Sequence, residues 1–334
     1  MFSIQALRNA SKATSARYLS TGATAPASLR RSYLYVPSSS SRMLEKSFTV
    51  NSDMIIYDLE DSVSPKDKIT SRNRLQSFLN DETRLSPSRI AVRINDRTTP
   101  FFGEDLVTIA RLPAVRSIVL PKVHSAEYLT HVASIISESR PTLSQSPPLR
   151  LVASIESAEA VMNASTIAAW KPSVESARGS VLGALLFAAE DYCADTSIIR
   201  TRSRQELLYT RSHIVNAARA NKLEAIDMAS CQVCVNYKDQ DYLKDECQEG
   251  RRMGFTGKQA IHPSQVDTIQ ATFVPSASEI LRAAKIVHNM QVAHDSQKGA
   301  IGLEGEMIDA PMIKQAEKII QIAKAAGLDI PSIV

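Results

Sequence analysis

Eight times between residues 32 and 262, a short apolar, β-branched run is followed by a longer amphipathic stretch. The runs are Ser32–Val36, Met54–Asp58, Ile90–Ile94, Ser117–Pro121, Leu149–Ile155, Val181–Phe187, Ala225–Ala229 and Gly257–His262. None shows the strict polar alternation of a sheet with one wet face, so each reads as a strand buried on both sides. Helical patterns lie between them. In Ser203–Ala220 the apolar residues Leu207, Leu208, Ile214, Val215 and Ala218 recur at helical spacing, and Ser125–Ser137 and Lys238–Met253 behave alike. Eight strand–helix units predict an α/β fold, a TIM (β/α)8 barrel, which needs roughly 250 residues. A doubly wound open sheet is the competing arrangement, but no Gly-x-Gly-x-x-Gly follows any of the runs.

The chain continues past the eighth run. Ser276–His294 reads as a further helix, and Gln297–Gly305, with Gly299, Gly302 and Gly305, as a flexible joint. Pro311–Ala326 reads as a last helix, with Pro in its first turn, Gly327 behind it and an apolar stripe of Ile313, Ala316, Ile319, Ile320 and Ala323. This C-terminal helical extension exceeds what a barrel requires and is expected to act as a lid or an arm on a neighbouring subunit. The expected organisation is a barrel over residues 31–295 and an arm over 296–334.

The opening segment differs from the rest. Residues 1–44 contain no Asp or Glu, and Arg8, Lys12 and Arg17 lie among Ser, Thr and Ala. That composition predicts a mitochondrial transit peptide over residues 1–19, cut after Leu19, and hence a matrix location. Its removal lowers the net charge from +4 to about +1, so no basic nucleic-acid surface is indicated. No apolar run approaches the roughly 20 residues that span a bilayer. Of the four cysteines, Cys231 and Cys234 form a lone CxxC pair; free thiols in a reducing compartment are the expectation, ahead of zinc or redox chemistry.

In a parallel barrel, chemistry gathers at the carboxyl ends of the strands. Two of these ends carry acids behind apolar runs: Glu156 after the fifth and Asp191 after the sixth. A carboxylate held at a sheet edge pays for lost water unless a cation compensates it, and two of them suit magnesium, which keeps waters for a substrate to displace. Acids paired with lysines or seated at helix N-termini would look the same, and Glu190 competes with Asp191 for the role. Arg93 suits bidentate grip of a carboxylate, or an internal ion pair with Asp58 or Glu60. Arg42 and Lys46, four apart at the start of the first helix, could share a phosphate-bearing ligand or be solvated surface charge. His262 reads as a structural hydrogen-bonder. Asp309 reads either as a helix N-cap or as a general acid or base on a mobile arm.

Several stretches then appear in a telling order: Tyr35-Val36-Pro37, Asp58-Leu59-Glu60-Asp61, Val92-Arg93-Ile94-Asn95, Leu120-Pro121-Lys122-Val123, Ile155-Glu156-Ser157-Ala158, Ala189-Glu190-Asp191-Tyr192, Gly254 through Pro263, and Gly305 through Pro311. Over roughly residues 31–326 the chain resembles the citrate lyase beta-chain-like (HpcH/HpaI aldolase) family, and within it a mitochondrial branch. The resemblance implies a magnesium-dependent barrel that makes or breaks a carbon–carbon bond beside a CoA thioester. It implies Glu156 and Asp191 as Mg²⁺ ligands, Arg93 as a substrate contact, and Tyr35, Arg42 and Lys46 as CoA contacts. Gln259 and Ala260 match a backbone contact with the thioester. Asp309 matches the catalytic acid, which reaches the site from the adjacent subunit of a homotrimer. The implied reaction is cleavage of (3S)-citramalyl-CoA to pyruvate and acetyl-CoA. Malyl-CoA cleavage, a malate-synthase-like activity, or a non-catalytic CoA-binding subunit of a larger complex are the alternatives. Two departures stand out: Ser38 replaces the family's usual Gly after Val-Pro, and Ala189 replaces the usual Gly before Glu-Asp.

Overall fold

Strand β2 (Met54–Asp58) shows how the barrel is built: all five residues are buried. Met54 and Ile56 face the barrel axis, while Ile55 and Tyr57 face the surrounding helices. The computed structural model describes residues 29–81, 85–140, 147–173, 179–229, 238–295, 301–303 and 306–333. Within it β1 (Ser32–Pro37), β2, β3 (Ile90–Arg93), β4 (Ser117–Leu120), β5 (Leu149–Ile155), β6 (Ser180–Phe187), β7 (Glu224–Asp227) and β8 (Gly257–Ala260) follow in sequence order as one closed parallel barrel. Strand β8 closes it on β1, with Tyr33 opposite Gln259 and Leu34 opposite Ala260. The eight expected strands are therefore present, each within a few residues of its expected ends.

Period-two alternation sorts the side chains. Tyr33, Met54, Ile56, Ala91, Val119, Val152, Ala184, Leu186 and Ile226 fill the barrel interior. The opposite faces pack against α1 (Ser41–Ser47), α2 (Lys68–Asn80), α3 (Phe102–Ala110), α4 (Ala126–Ser139), α5 (Ala158–Met162), α6 (Ala164–Ala169), α7 (Ala189–Thr196), α8 (Leu208–Ala220), α9 (Gln240–Met253) and α10 (Val266–Thr272). Leu106 on α3 is wholly buried there, and its truncation to Ala costs about 3 kcal/mol. Between β5 and β6 the register slips by one, from Leu151↔Leu182 to Val152↔Ala184. The extra residue is Gly183, where a Cβ would lie 2.4 Å from the Arg150 side chain. The slip sets which residues of β6 point inward as it approaches the barrel mouth.

Helix α8 begins later than its pattern suggests, because Gln205–Leu207 forms a 3₁₀ turn first. Leu207, Ile214, Val215 and Ala218 are buried as expected, but Leu208 is 41% exposed and does not join the stripe.

The chain groups into two compact units, and the boundary falls at Phe273/Val274 rather than at residue 295. Helix α11 (Ala277–Asp295) belongs to the second unit because it packs on α12 (Ala310–Ala325). Ala283, Ile286, Leu303, Ile308 and Ala316 form that unit's own small core. Of the stretch Gln297–Gly305 expected as a flexible joint, only Ile301–Leu303 lies among the described residues; it forms β9, which pairs antiparallel with β10 (Glu306–Ile308) beyond the stretch. The expected transit segment, residues 1–19, and the Cys231/Cys234 pair lie outside the described residues. Among the described residues no helix is long and apolar enough to cross a membrane.

Candidate active site

Continuing the inward parity to the carboxyl ends of the strands delivers polar side chains to one mouth. Asp58 follows Met54 and Ile56, Arg93 follows Ala91, Tyr35 follows Tyr33, and Ser154 then Glu156 follow Val152. A cavity of about 400 Å³ opens there, lined among others by Tyr35, Asp58, Asp61, Arg93, Ser154, Asp191 and Gln259.

Arg93 sits opposite Asp58 in the β2–β3 register. Its Nε and Nη2 donate to the two Asp58 oxygens at 2.7 and 2.8 Å, and its Nη1 donates to Asp61 at 2.9 Å. Glu60 lies 3.1 Å from the same Nη1. The internal ion pair foreseen for Arg93 is thus present, and three carboxylates surround one guanidinium. Asp58 also accepts the backbone N–H groups of Glu60 and Ser62, which shapes the loop after β2. Arg93 and these hydrogen bonds hold the Asp58 carboxyl below its ordinary range although burial opposes them. Glu60 has no such set of donors; burial first, then the neighbouring acids, push its carboxyl up to about 8.

Glu156 stands one residue beyond β5 and is 6% exposed. The Lys122 backbone N–H donates to one oxygen and the Ser154 hydroxyl to the other, both at 2.7 Å. Lys122 presents that N–H from a left-handed backbone, φ 50°. Burial, and secondarily the charge of Asp191, raise the Glu156 carboxyl to about 7. Asp191 sits not at a strand end but in the first turn of α7, beside Glu190, where both charges suit the helix N-terminus. Its residue surface is open to the cavity, yet the surrounding protein and the Asp61 charge still raise its carboxyl. Glu190, its rival from the sequence, is engaged instead by Arg200 at 2.5 Å.

A carboxylate raised by burial and by the charge of Asp191, which is itself raised by burial and by Asp61, marks a place where a cation is favoured. Each Glu156 oxygen has a single protein donor and keeps acceptor capacity. Among the described residues no group of three or more His, Cys, Asp or Glu side chains is arranged to hold a metal ion. The donor set therefore fits a hard divalent ion that takes two protein oxygens and keeps its waters, as magnesium does, and does not fit a dedicated zinc or calcium cage.

A second cavity of about 530 Å³ shares Tyr35, Pro37 and Ile261 with the first. Arg42 and Lys46 line it from α1, with Met43, Val36, His262 and Pro263. The Ser40 hydroxyl caps α1 by accepting the Met43 N–H at 3.3 Å, so the helix begins where it presents both cations to the cavity. Tyr35 stands between the two cavities: its hydroxyl donates to Gln259 Oε1 at 3.1 Å and the Arg93 guanidinium lies 4.8 Å over its ring. The Gln259 amide donates to the Phe187 and Asp227 carbonyls, tying together the ends of β6, β7 and β8. Ala260 is wholly buried at the end of β8. His262 holds Ser264 through Nδ1, as its structural reading anticipated. Ser38 is wholly buried and its hydroxyl has no hydrogen-bond partner.

Asp309 lies in the C-terminal unit, exposed, and its Oδ1 accepts the Met312 N–H at 3.0 Å. It is the N-cap of α12. A search confined to strand ends passes over Ser154 and Arg200. Ser154 was legible as the inward residue two before Glu156. Arg200 carries no such signal, since it lies in the connection between α7 and α8.

A closed eight-stranded parallel barrel with acids and ion-paired arginines at its carboxyl-end mouth defines a barrel lyase of the aldolase class. The chain belongs to the HpcH/HpaI aldolase/citrate lyase family, whose model matches residues 31–263. It is 32% identical over 297 residues to the human mitochondrial citramalyl-CoA lyase, covering 88% of this chain and 85% of that one. It is 31% identical to the citrate lyase subunit beta of Leuconostoc mesenteroides subsp. cremoris, covering 90% of this chain and 95% of that one. A (3S)-malyl-CoA thioesterase of Cereibacter sphaeroides is 33% identical, with 88% and 95% covered. Among solved structures, the CitE protein of Mycobacterium tuberculosis in complex with magnesium, acetoacetate and coenzyme A is 27% identical. It superposes with a TM-score of 0.67 over 90% of this chain and 98% of that one.

Proposed function

We propose that this chain is a magnesium-dependent carbon–carbon lyase that cleaves (3S)-citramalyl-CoA to pyruvate and acetyl-CoA. The single observation that carries the reading is that Asp191 lines the mouth with Arg93 and Ser154, while Glu156, held by Ser154, lies within reach of the Asp191 charge. Glu156 and Asp191 are the residues that would hold the ion, which when bound supplies Lewis-acid polarisation of the substrate oxygens.

The remaining roles follow from the side chains. Arg93 orients the carboxylate of the oxo-acid half, with Asp58 fixing the guanidinium plane. Arg42 and Lys46 attract the phosphates of CoA, and Tyr35 separates that cavity from the reacting centre. Gln259 and Ala260 set the backbone against which the thioester lies. When the carbon–carbon bond breaks, its electron pair stays with the acetyl-CoA carbon, which must gain a proton, while the hydroxyl of the other half must lose one. Asp309 is the group we assign to that proton transfer, delivered by a neighbouring subunit of a homotrimer. The acid-free, basic N-terminus and the mitochondrial relatives support a matrix location.

The test is to supply the purified protein with citramalyl-CoA and, separately, malyl-CoA, and to follow pyruvate, glyoxylate, acetyl-CoA and free CoA. Faster release of pyruvate with acetyl-CoA is the expected result. Faster glyoxylate formation would make malyl-CoA the substrate. Free CoA with no oxo-acid would indicate thioester hydrolysis, the reaction named for the Cereibacter relative.

A further inference from the structure

Behind the mouth, four charged side chains stand in line. Lys258 Nζ and Glu246 Oε2, both wholly buried, are 3.0 Å apart. Glu246 Oε1 is 3.6 Å from Arg200 Nη2, and Arg200 Nη1 donates to Glu190 Oε1 at 2.5 Å. The Arg200 side chain is only 4% exposed. Its Nη2 also reaches Met228 Sδ at 3.4 Å and the Ala229 carbonyl at 3.5 Å. The charges alternate along the line, and at its inner end Lys258 also lies 3.9 Å from the buried Asp227, so that end is anchored between β7, β8 and α9.

Glu190 immediately precedes Asp191 in the first turn of α7. That turn has no side-chain cap, because its N-cap position is Ala188. The Arg200–Glu190 bond is thus a tether that joins the turn to the end of β7. It also occupies a carboxylate that would otherwise compete for a cation one residue away. We infer that Arg200 is a positioning residue for the metal centre: by holding Glu190 it fixes Asp191 opposite Glu156 and keeps the ligand pair to one glutamate and one aspartate. The inference rests on the assignment of Glu156 and Asp191 as ligands. Outer partners that orient metal ligands are worth about 10–100-fold in metal affinity.

Mn²⁺ is the probe, its free concentration read by electron paramagnetic resonance as it is titrated into the full-length, metal-stripped protein. Arg200→Met is expected to weaken Mn²⁺ binding by about tenfold or more, and Arg200→Lys to recover part of that loss. If Arg200→Met does not fold, Glu190→Ala leaves the buried Lys258–Glu246 pair intact and is expected to show the same weakening. Glu156→Gln is measured alongside and is expected to abolish tight binding. Loss in Glu156→Gln with unchanged or tighter binding in Arg200→Met and Glu190→Ala overturns the inference and leaves the ligand assignment standing. A fall in melting temperature with no change in Mn²⁺ affinity overturns it equally. Normal binding in Glu156→Gln overturns the ligand assignment and the inference with it.

Discussion

Asp58 grips Arg93 along one edge of the guanidinium, with both oxygens engaged at 2.7 and 2.8 Å from neighbouring strands. The Asp58 side chain is 1% exposed and that of Arg93 16%, so the pair is largely withdrawn from water. Removing one partner of such a pair leaves an uncompensated buried charge. Asp58→Ala is expected to lower the stability of the protein by about 3 kcal/mol or more, read as a shift in the urea unfolding midpoint. A loss near zero would mean that Glu60 and Asp61 suffice to hold Arg93.

Asp61 plays a different part. Its side chain is 67% exposed, yet it occupies Nη1 of Arg93 on the cavity side. Exposed pairs of this kind are worth about 0.2–1 kcal/mol, so a substrate carboxylate displaces Asp61 at small cost. Asp61→Asn is expected to tighten pyruvate binding about two- to fivefold, measured by calorimetry in the presence of magnesium. Weaker binding in that variant would show that Asp61 assists the ligand rather than competing with it.

Glu156 and Glu60 make the metal-free protein pH-sensitive. Their folded carboxyls lie at about 7 and about 8, above the unfolded value near 4.5 that both share as the reference. The folded state therefore binds more protons than the unfolded state between these limits, and stability falls as pH rises through that window. Thermal unfolding of the metal-free protein is expected to shift to lower temperature from pH 5 to pH 8. Magnesium is expected to reverse the trend, because the ion needs the Glu156 carboxylate deprotonated and binds more tightly up to about pH 7. A metal-free melting temperature that climbs across the same range would contradict the raised carboxyls.

Arg42 and Lys46 test the second cavity. Both are exposed cations on one face of α1, and a polyanionic ligand would draw on both. The double substitution Arg42→Gln, Lys46→Gln is expected to raise the KM for the CoA substrate about tenfold or more, with a weaker salt dependence than the parent and kcat little changed. An unchanged KM would assign the cavity to something other than CoA.

Much of this was legible beforehand. The barrel declared itself because each strand is buried on both faces and reads as an unbroken apolar run, and Glu156 because it follows such a run. The grip of Asp58 on Arg93 was one of two readings, since register between residues 35 positions apart is a property of the closed sheet and not of either segment. Asp191 was singled out as a strand-end acid, whereas it sits in a helix turn, and the Arg200 bond to Glu190 is what distinguishes the two neighbouring acids. The β9–β10 pair was missed because three-residue strands around glycines carry no alternation to detect. Helix α11 was assigned to the barrel because a pattern shows an apolar stripe but not which neighbour covers it.

The central proposal is that Glu156 and Asp191 hold a magnesium ion. The direct measurement is the rate of pyruvate formation from citramalyl-CoA by chelator-stripped protein as magnesium is restored. The stripped wild type is expected to be inactive and to recover fully, while Glu156→Gln stays at least about a hundredfold slower at saturating magnesium, the worth of several kcal/mol of charge stabilisation. Full turnover in the presence of chelator, or near-normal turnover in Glu156→Gln, would contradict it.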